Sequence, residues 1–316
     1  MKTCLLTGLV GFEFNGPSVH AVTRSLTTLF SRRYLPDPEL DDSCNSIDVE
    51  VMWIDGRGFN VLAAWYSREL LHQPDRYIIE GGPAEPYTNE SPVFFVLQAL
   101  ARRLIIKGQV LLTDSVSIYL PSTGEAVLLL GYPHTGKSTI SSIAFSKGFT
   151  VLSTENTIVD VDEKGLLVRS GSSTLVFDPV VRRLYGVELL SHETTRHGYE
   201  VVDAGSTERS SLLRRGVRVS SIYVLHTNFS SSGVSLTPVK GRKIGKTLWY
   251  FATSVLRGVD FYEPAPLDIP MDYPVKNNLL RFLENAQRNY NGRMLEVYGS
   301  PLEVFNEIIA REASQR

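Results

Sequence analysis

The period of apolar positions changes several times along the chain, and those changes predict its elements. Val22, Leu26, Leu29 and Phe30 fall at helical spacing and predict a helix over residues 19–30, whereas residues 48–53 alternate as a half-buried strand does. Between them residues 34–45 are acidic, include Pro36 and Pro38 and follow neither period, which predicts a surface loop. Ser91-Pro92 opens a clear helix, because serine caps well and proline at the first helical position gives up no needed hydrogen bond. Phe94, Leu97, Ala101 and Leu104 then share its face. Residues 109–112 and 116–120 read as strands, residues 121–124 as a turn, and residues 126–130 as an unbroken apolar run, expected of a strand covered on both faces.

Beyond that run, Ile140, Ile143 and Ala144 mark a helix that Gly148 stops, and residues 149–153 a short strand. Residues 157–161 and 166–169 flank Asp162-Glu163-Lys164-Gly165 as an antiparallel hairpin would. Near the end, Leu279, Phe282, Leu283 and Ala286 share a helical face over residues 277–290. Ser300-Pro301-Leu302-Glu303 opens a final helix with an N-cap serine, a first-turn proline and a capping-box glutamate. With the glycine- and proline-rich stretch 81–86 as a boundary, the pattern predicts an N-terminal α+β region over 1–90, an α/β domain over 91–265 and a helical cover over 266–316.

Composition narrows the classes. The chain has 316 residues, 43% of them hydrophobic and 21% charged, so it is long enough to bury a sizeable core. A formal net charge of −2 gives no general electrostatic attraction to nucleic acid or an anionic membrane. Two cysteines, Cys4 and Cys44, are too few for a disulfide framework and predict a reducing, cytoplasmic setting while leaving a single bridge open. The opening apolar run is broken by Gly8 and Gly11 and reads as a buried first strand rather than a leader.

The chemistry lies directly after the apolar run. Gly131-Tyr132-Pro133-His134-Thr135-Gly136-Lys137-Ser138-Thr139 completes the pattern G-x-x-x-x-G-K-[ST], between a predicted strand and a predicted helix. Gly131 lets the chain leave the strand sharply, and Gly136 lets backbone N–H groups close on phosphate oxygens without a Cβ in the way. Lys137 is expected to neutralise the β- and γ-phosphates of ATP, and the Ser138 hydroxyl to ligate Mg²⁺. The helix start adds the positive end of its dipole. Such a loop reads phosphates rather than bases, so ADP, GTP or pyrophosphate would satisfy it equally.

The order strand, loop, helix, Lys147-Gly148-Phe149-Thr150-Val151-Leu152-Ser153-Thr154-Glu155-Asn156 and hairpin resembles the catalytic domain of HPr kinase/phosphorylase, within the phosphoenolpyruvate carboxykinase-like P-loop group. Leu236-Thr237-Pro238-Val239-Lys240-Gly241-Arg242 is similar to that family's late strand and Pro-Val-x-x-Gly-Arg turn, one residue shorter, and Ile244, Leu248, Phe251, Ala252 and Val255 follow at helical spacing. The resemblance spans residues 108–260 and implies a mixed-sheet kinase fold, ATP with Mg²⁺, and a homo-oligomer. The family's two adjacent aspartates are replaced by Thr154-Glu155, and its histidine near residues 112–114 is missing, which leaves Asp114 to stand in. The N-terminal residues do not resemble the bacterial regulator, so the expected acceptor is a small hydroxyl-bearing metabolite rather than HPr. A protein serine acceptor, or a regulatory nucleotide switch with slow hydrolysis, are the alternatives.

Each further candidate has a plainer reading. Glu155 is a metal ligand or base, or else an exposed turn residue. Asp114 is a base or an ordinary strand-end aspartate, and Arg242 a phosphate clamp or a surface arginine. His134 stands at a variable loop position. His192 and His197 lack a third ligand nearby and read as part of a polar loop. Asp203, Glu208, Arg209, Arg214 and Arg215 form a solvated face or a lid. The strand candidate 222–225 ends at His226 instead of an acidic residue, which argues against motors, transporters and helicases.

Overall fold

A computed structural model describes residues 2–41, 46–67, 73–258 and 266–314, and the chain divides into two compact units. The first comprises Met1–Leu111 with Ala252–Arg281, the second Leu112–Phe251 with Phe282–Arg316. Both contain mixed sheets with helices, so the chain is mixed α/β.

The first unit is built on β1 (Lys2–Thr7), β2 (Val10–Asn15), α1 (Val19–Ser25), α2 (Leu29–Tyr34), β3 (Glu39–Asp41), β4 (Val49–Asp55), β5 (Phe59–Trp65), β6 (Asp75–Gly81) and α3 (Ser91–Ile106). Its six strands run in the order β3-β1-β2-β4-β6-β5, with β2, β4 and β6 parallel. Period-two alternation buries Phe12 and Phe14 of β2, Val49, Val51 and Trp53 of β4, and Tyr77 and Ile79 of β6. Phe95 of α3 meets Tyr77 edge-on at 5.1 Å between ring centroids. Almost the whole of α3 is buried, including Arg102 and Arg103, whose guanidinium groups pair with Asp75, Asp272 and Asp48.

Three expectations are corrected here. Residues 19–30 hold two short helices: near the end of α1 the Thr23 and Ser25 hydroxyls bond back to the Val19 and Val22 carbonyls, and Thr28 Oγ1 accepts from Ser31 N to begin α2. Within 34–45, Glu39–Asp41 pairs with β1, while 42–45 lie outside the described residues. The compact division falls at Leu111 rather than near residue 90, since α3 is buried with the first unit's strands.

β7 (Gln109–Leu112) leads toward the second unit. There β8 (Ser115–Leu120), β9 (Glu125–Leu130), α4 (Lys137–Ser146), β10 (Val151–Ser153) and the hairpin β11 (Thr157–Asp162) and β12 (Gly165–Gly171) follow the predicted order. Next come β13 (Thr174–Phe177), α5 (Val180–Tyr185), β14 (Glu193–Thr194), β15 (Glu200–Asp203) and α6 (Thr207–Arg215), with β13-β15-β14 forming a small sheet. β16 (Val217–Thr227), β17 (Ser235–Pro238), α7 (Arg242–Arg257), α8 (Tyr273–Asn289), β18 (Met294–Gly299) and α9 (Pro301–Ser314) complete the chain.

The larger sheet centres on β16, which runs parallel to β9 and to β18. β8 is antiparallel to β9, and β10 antiparallel to β8, so β9, β10, β16 and β18 all point their carboxyl ends the same way. One face carries Val127 and Leu129, Tyr223 and Leu225, and Leu295 and Val297 against Ile140 and Ile143 of α4 and Val304, Phe305 and Ile308 of α9. The predicted C-terminal helical cover is therefore interrupted by β18. Leu295 and Val297 enter the core at period two, a pattern too short to stand out beside the helical spacing on either side.

Candidate functional site

The glycine-rich loop occupies the carboxyl end of β9, and local sterics dictate both of its glycines. A Cβ on Gly131 would overlap the Thr135 hydroxyl. Gly136 has φ +91°, and a Cβ there would run into Thr227, whose hydroxyl donates to Thr135 O at 2.7 Å. α4 then begins at Lys137 with no side-chain capping bond and no acidic residue in its first turn. Its first N–H groups lack intrahelical acceptors, so the loop ends in donors beneath the positive end of a helix dipole.

Lys137 is buried and folds back on its loop. Its Nζ donates to Asp114 Oδ1 at 2.9 Å, Gly131 O at 2.6 Å and Tyr132 O at 3.1 Å, which uses all three N–H bonds. Asp114 arrives because Ser115 of β8 is paired with Leu130, and Gly131 N donates to Asp114 O at 3.1 Å. Its backbone is left-handed at φ +51°, a conformation that aspartate tolerates better than most residues. Glu155 comes from the turn after β10, where Ser115 N donates to Glu155 O at 2.9 Å and the Ser172 hydroxyl accepts from Glu155 N. The Glu155 carboxyl stands close enough to that of Asp114 to act on its charge.

Burial pushes the Asp114 carboxyl up to about 6, and the neighbouring Glu155 charge adds to the rise against the opposing pull of Lys137. Asp114, Lys137 and Glu155, widely separated in sequence, thus form one cluster. Ser138 is half-buried in the first turn of α4, and Thr139 is buried behind it. Tyr132 lies against Tyr250 and Phe251 of α7, with ring centroids 4.7 and 5.4 Å away. His134, at φ +64°, and Pro133 are exposed at the loop tip.

The remaining candidates stand elsewhere. Arg242 is exposed at the first residue of α7, and among the described residues no ion pair or hydrogen bond joins it to the cluster. Its neighbour Lys243 pairs with Glu296 at 2.9 Å. His192 and His197 are exposed, and His192 Nδ1 accepts from Asp203 N at 3.3 Å. Arg209 departs from the solvated face expected of its stretch: it is buried, donating to Leu152 O at 3.1 Å and Gly171 O at 2.6 Å. Thr227, which holds the loop to the neighbouring strand, was missed. The end of the apolar stretch 222–225 was its only sequence signal. No protein-family model matches the chain, and no curated protein matches it.

Proposed function

We propose that this chain is an ATP-dependent kinase that transfers the γ-phosphoryl group, with Mg²⁺, to a hydroxyl of a small metabolite. The observation that carries this reading is the Lys137, Asp114 and Glu155 cluster beside the uncapped start of α4, at the carboxyl ends of parallel strands. Ligands of open α/β sheets gather at that edge. A buried ammonium persists only when fully paired, and two of the three acceptors of Lys137 are carbonyls of its own loop. Phosphate oxygens could replace those carbonyls, with gain of charge neutralisation.

The donor set suits the metal as well. Mg²⁺ is commonly held by one or two carboxylates and the phosphates themselves rather than by a dedicated protein cage. Among the described residues no group of three or more His, Cys, Asp and Glu side chains could hold a metal, which leaves Ser138 and Glu155 as its ligands in this reading. The ion would supply neutralisation of charge on the β- and γ-oxygens. Asp114, whose burial raises its carboxyl even against the pull of Lys137, is suited to take a proton from the acceptor once Lys137 turns to the phosphates and the carboxyl rises further. Arg242, solvent-facing on α7, is the residue assigned to steady the transferred group. Most of the acceleration would come from positioning and charge stabilisation.

The Lys137–Asp114 contact also favours a second reading, a nucleotide switch in which phosphate binding breaks that pair and the chain hydrolyses ATP slowly. One experiment separates the two. Mg-ATP binding and consumption are measured for wild type and Lys137→Ala across pools of sugars, polyols, amino acids and nucleosides. The kinase reading expects one pool to stimulate ADP formation in wild type alone. Binding without stimulation by any pool favours the switch or a protein acceptor. Absence of binding overturns both.

A further inference from the structure

At the end of β16, next to the loop, His226 is left with an unmet hydrogen bond. Its Nε2 is buried and has no hydrogen-bond partner among the described residues. Such an atom costs about 1–3 kcal/mol unless something pairs with it. The ring is not loose: it stacks on Tyr298, its register partner on β18, at 4.6 Å between centroids and 12° between planes.

Strand alternation fixes where His226 points. Leu225 and Val297 enter the core beside α4, so His226 and Tyr298 lie on the opposite face of the sheet. On that face Glu296 is already paired with Lys243, and Leu128 and Leu130 of β9 offer no polar group. The next residue, Thr227, is the one that grips Thr135 O of the glycine-rich loop. His226 is therefore an oriented polar group one residue along β16 from the threonine that grips the glycine-rich loop, on the strand immediately beside β9.

We propose that His226 is the acceptor contact of the transfer site, with Nε2–H donating a hydrogen bond to the oxygen of the hydroxyl that attacks the γ-phosphorus, while that hydroxyl's own proton goes to Asp114. Tyr298 is its positioning residue, holding the imidazole plane in place. This inference rests on the triphosphate reading of the loop and adds the acceptor side to it. When no metabolite is present, a water molecule takes the same place, which makes basal hydrolysis the accessible probe.

The test compares wild type, His226→Leu, His226→Gln and Lys137→Ala. Binding of a non-hydrolysable ATP analogue with Mg²⁺ is expected to be unchanged in both His226 variants and lost in Lys137→Ala. Basal Mg-ATP hydrolysis is expected to fall about tenfold in His226→Leu, the worth of one hydrogen bond, and to recover in part in His226→Gln. In ¹⁵N-histidine-labelled wild type, the Nε2 resonance of His226 is expected to move with the analogue and to stay in place with ADP. Wild-type hydrolysis in His226→Leu, or a resonance that ignores the analogue, overturns the proposal. A His226→Leu chain that does not fold leaves the wild-type resonance to decide. If wild type itself fails to bind the analogue, the triphosphate reading falls and the role of His226 with it.

Discussion

Arg102 and Arg103 in the first unit and Lys137 in the second are all buried cations facing buried carboxylates, yet their surroundings differ in kind. Arg102 Nε lies 3.2 Å from Asp75, and its other nitrogens reach Asp272 at 2.8 Å, Ser67 O and Pro270 O. Burial lifts the Asp75 carboxyl even with two guanidinium groups beside it, and neither guanidinium can give up its charge. Lys137 faces one carboxylate that has a second beside it, and its other acceptors are two carbonyls of a glycine-rich loop. The arginine network is closed. The lysine cluster can change its proton count and exchange its partners, which is what a binding site requires and a structural core does not.

The largest expected consequence is in stability. Arg102→Leu removes the nearer guanidinium from Asp75, leaving it Arg103 alone, and takes away the guanidinium that pairs with Asp272, a loss of about 3–5 kcal/mol in urea denaturation. Lys137→Met at pH 6 is expected to lose no more than about 1–2 kcal/mol, because Asp114 can take up a proton when its partner is gone. Equal losses in the two variants would erase the distinction between closed and exchangeable clusters.

The next effect is on pH. The Asp114 carboxyl is raised from its ordinary 3.8 to about 6 in the folded chain, so between those values the folded state binds more protons than the unfolded one. Its contribution to stability is present below 3.8 and is lost as pH rises through about 6, on the order of 2–3 kcal/mol across that window. Asp114→Asn is expected to flatten this part of the stability profile, as read by denaturation midpoints from pH 4 to pH 7. An unchanged slope would mean that Asp114 titrates as an ordinary surface carboxylate.

How much of this was readable beforehand varies by element. The apolar run of β9, the loop and α4 were legible because a buried parallel strand, two sterically required glycines and a helical period each leave a local mark. Asp114 and Glu155 could be nominated from chain order, but their contact depends on β8 and β10 pairing across the sheet, and no local period encodes that. β18 was hidden because six residues of period two lie between two strongly periodic helices. Arg209 was misread because charge in sequence says nothing of burial. Its guanidinium is buried against the carbonyls of Leu152 and Gly171, which lie far away along the chain.

The smallest effect sharpens the assignment of Arg242. It is exposed, without a bond to the Lys137 cluster, so Arg242→Ala is expected to change stability by less than about 0.5 kcal/mol. It is also expected to leave binding of the ATP analogue unaltered, because the loop and α4 supply the phosphate donors without it. If Arg242 steadies the transferred group, kcat for ADP formation falls about tenfold while the Kd for the analogue stays put, since the lost contact forms only as phosphate moves. If both kcat and Kd are unchanged, Arg242 is a surface arginine, and charge stabilisation of the moving group must come from Lys137, the α4 amides and the metal alone.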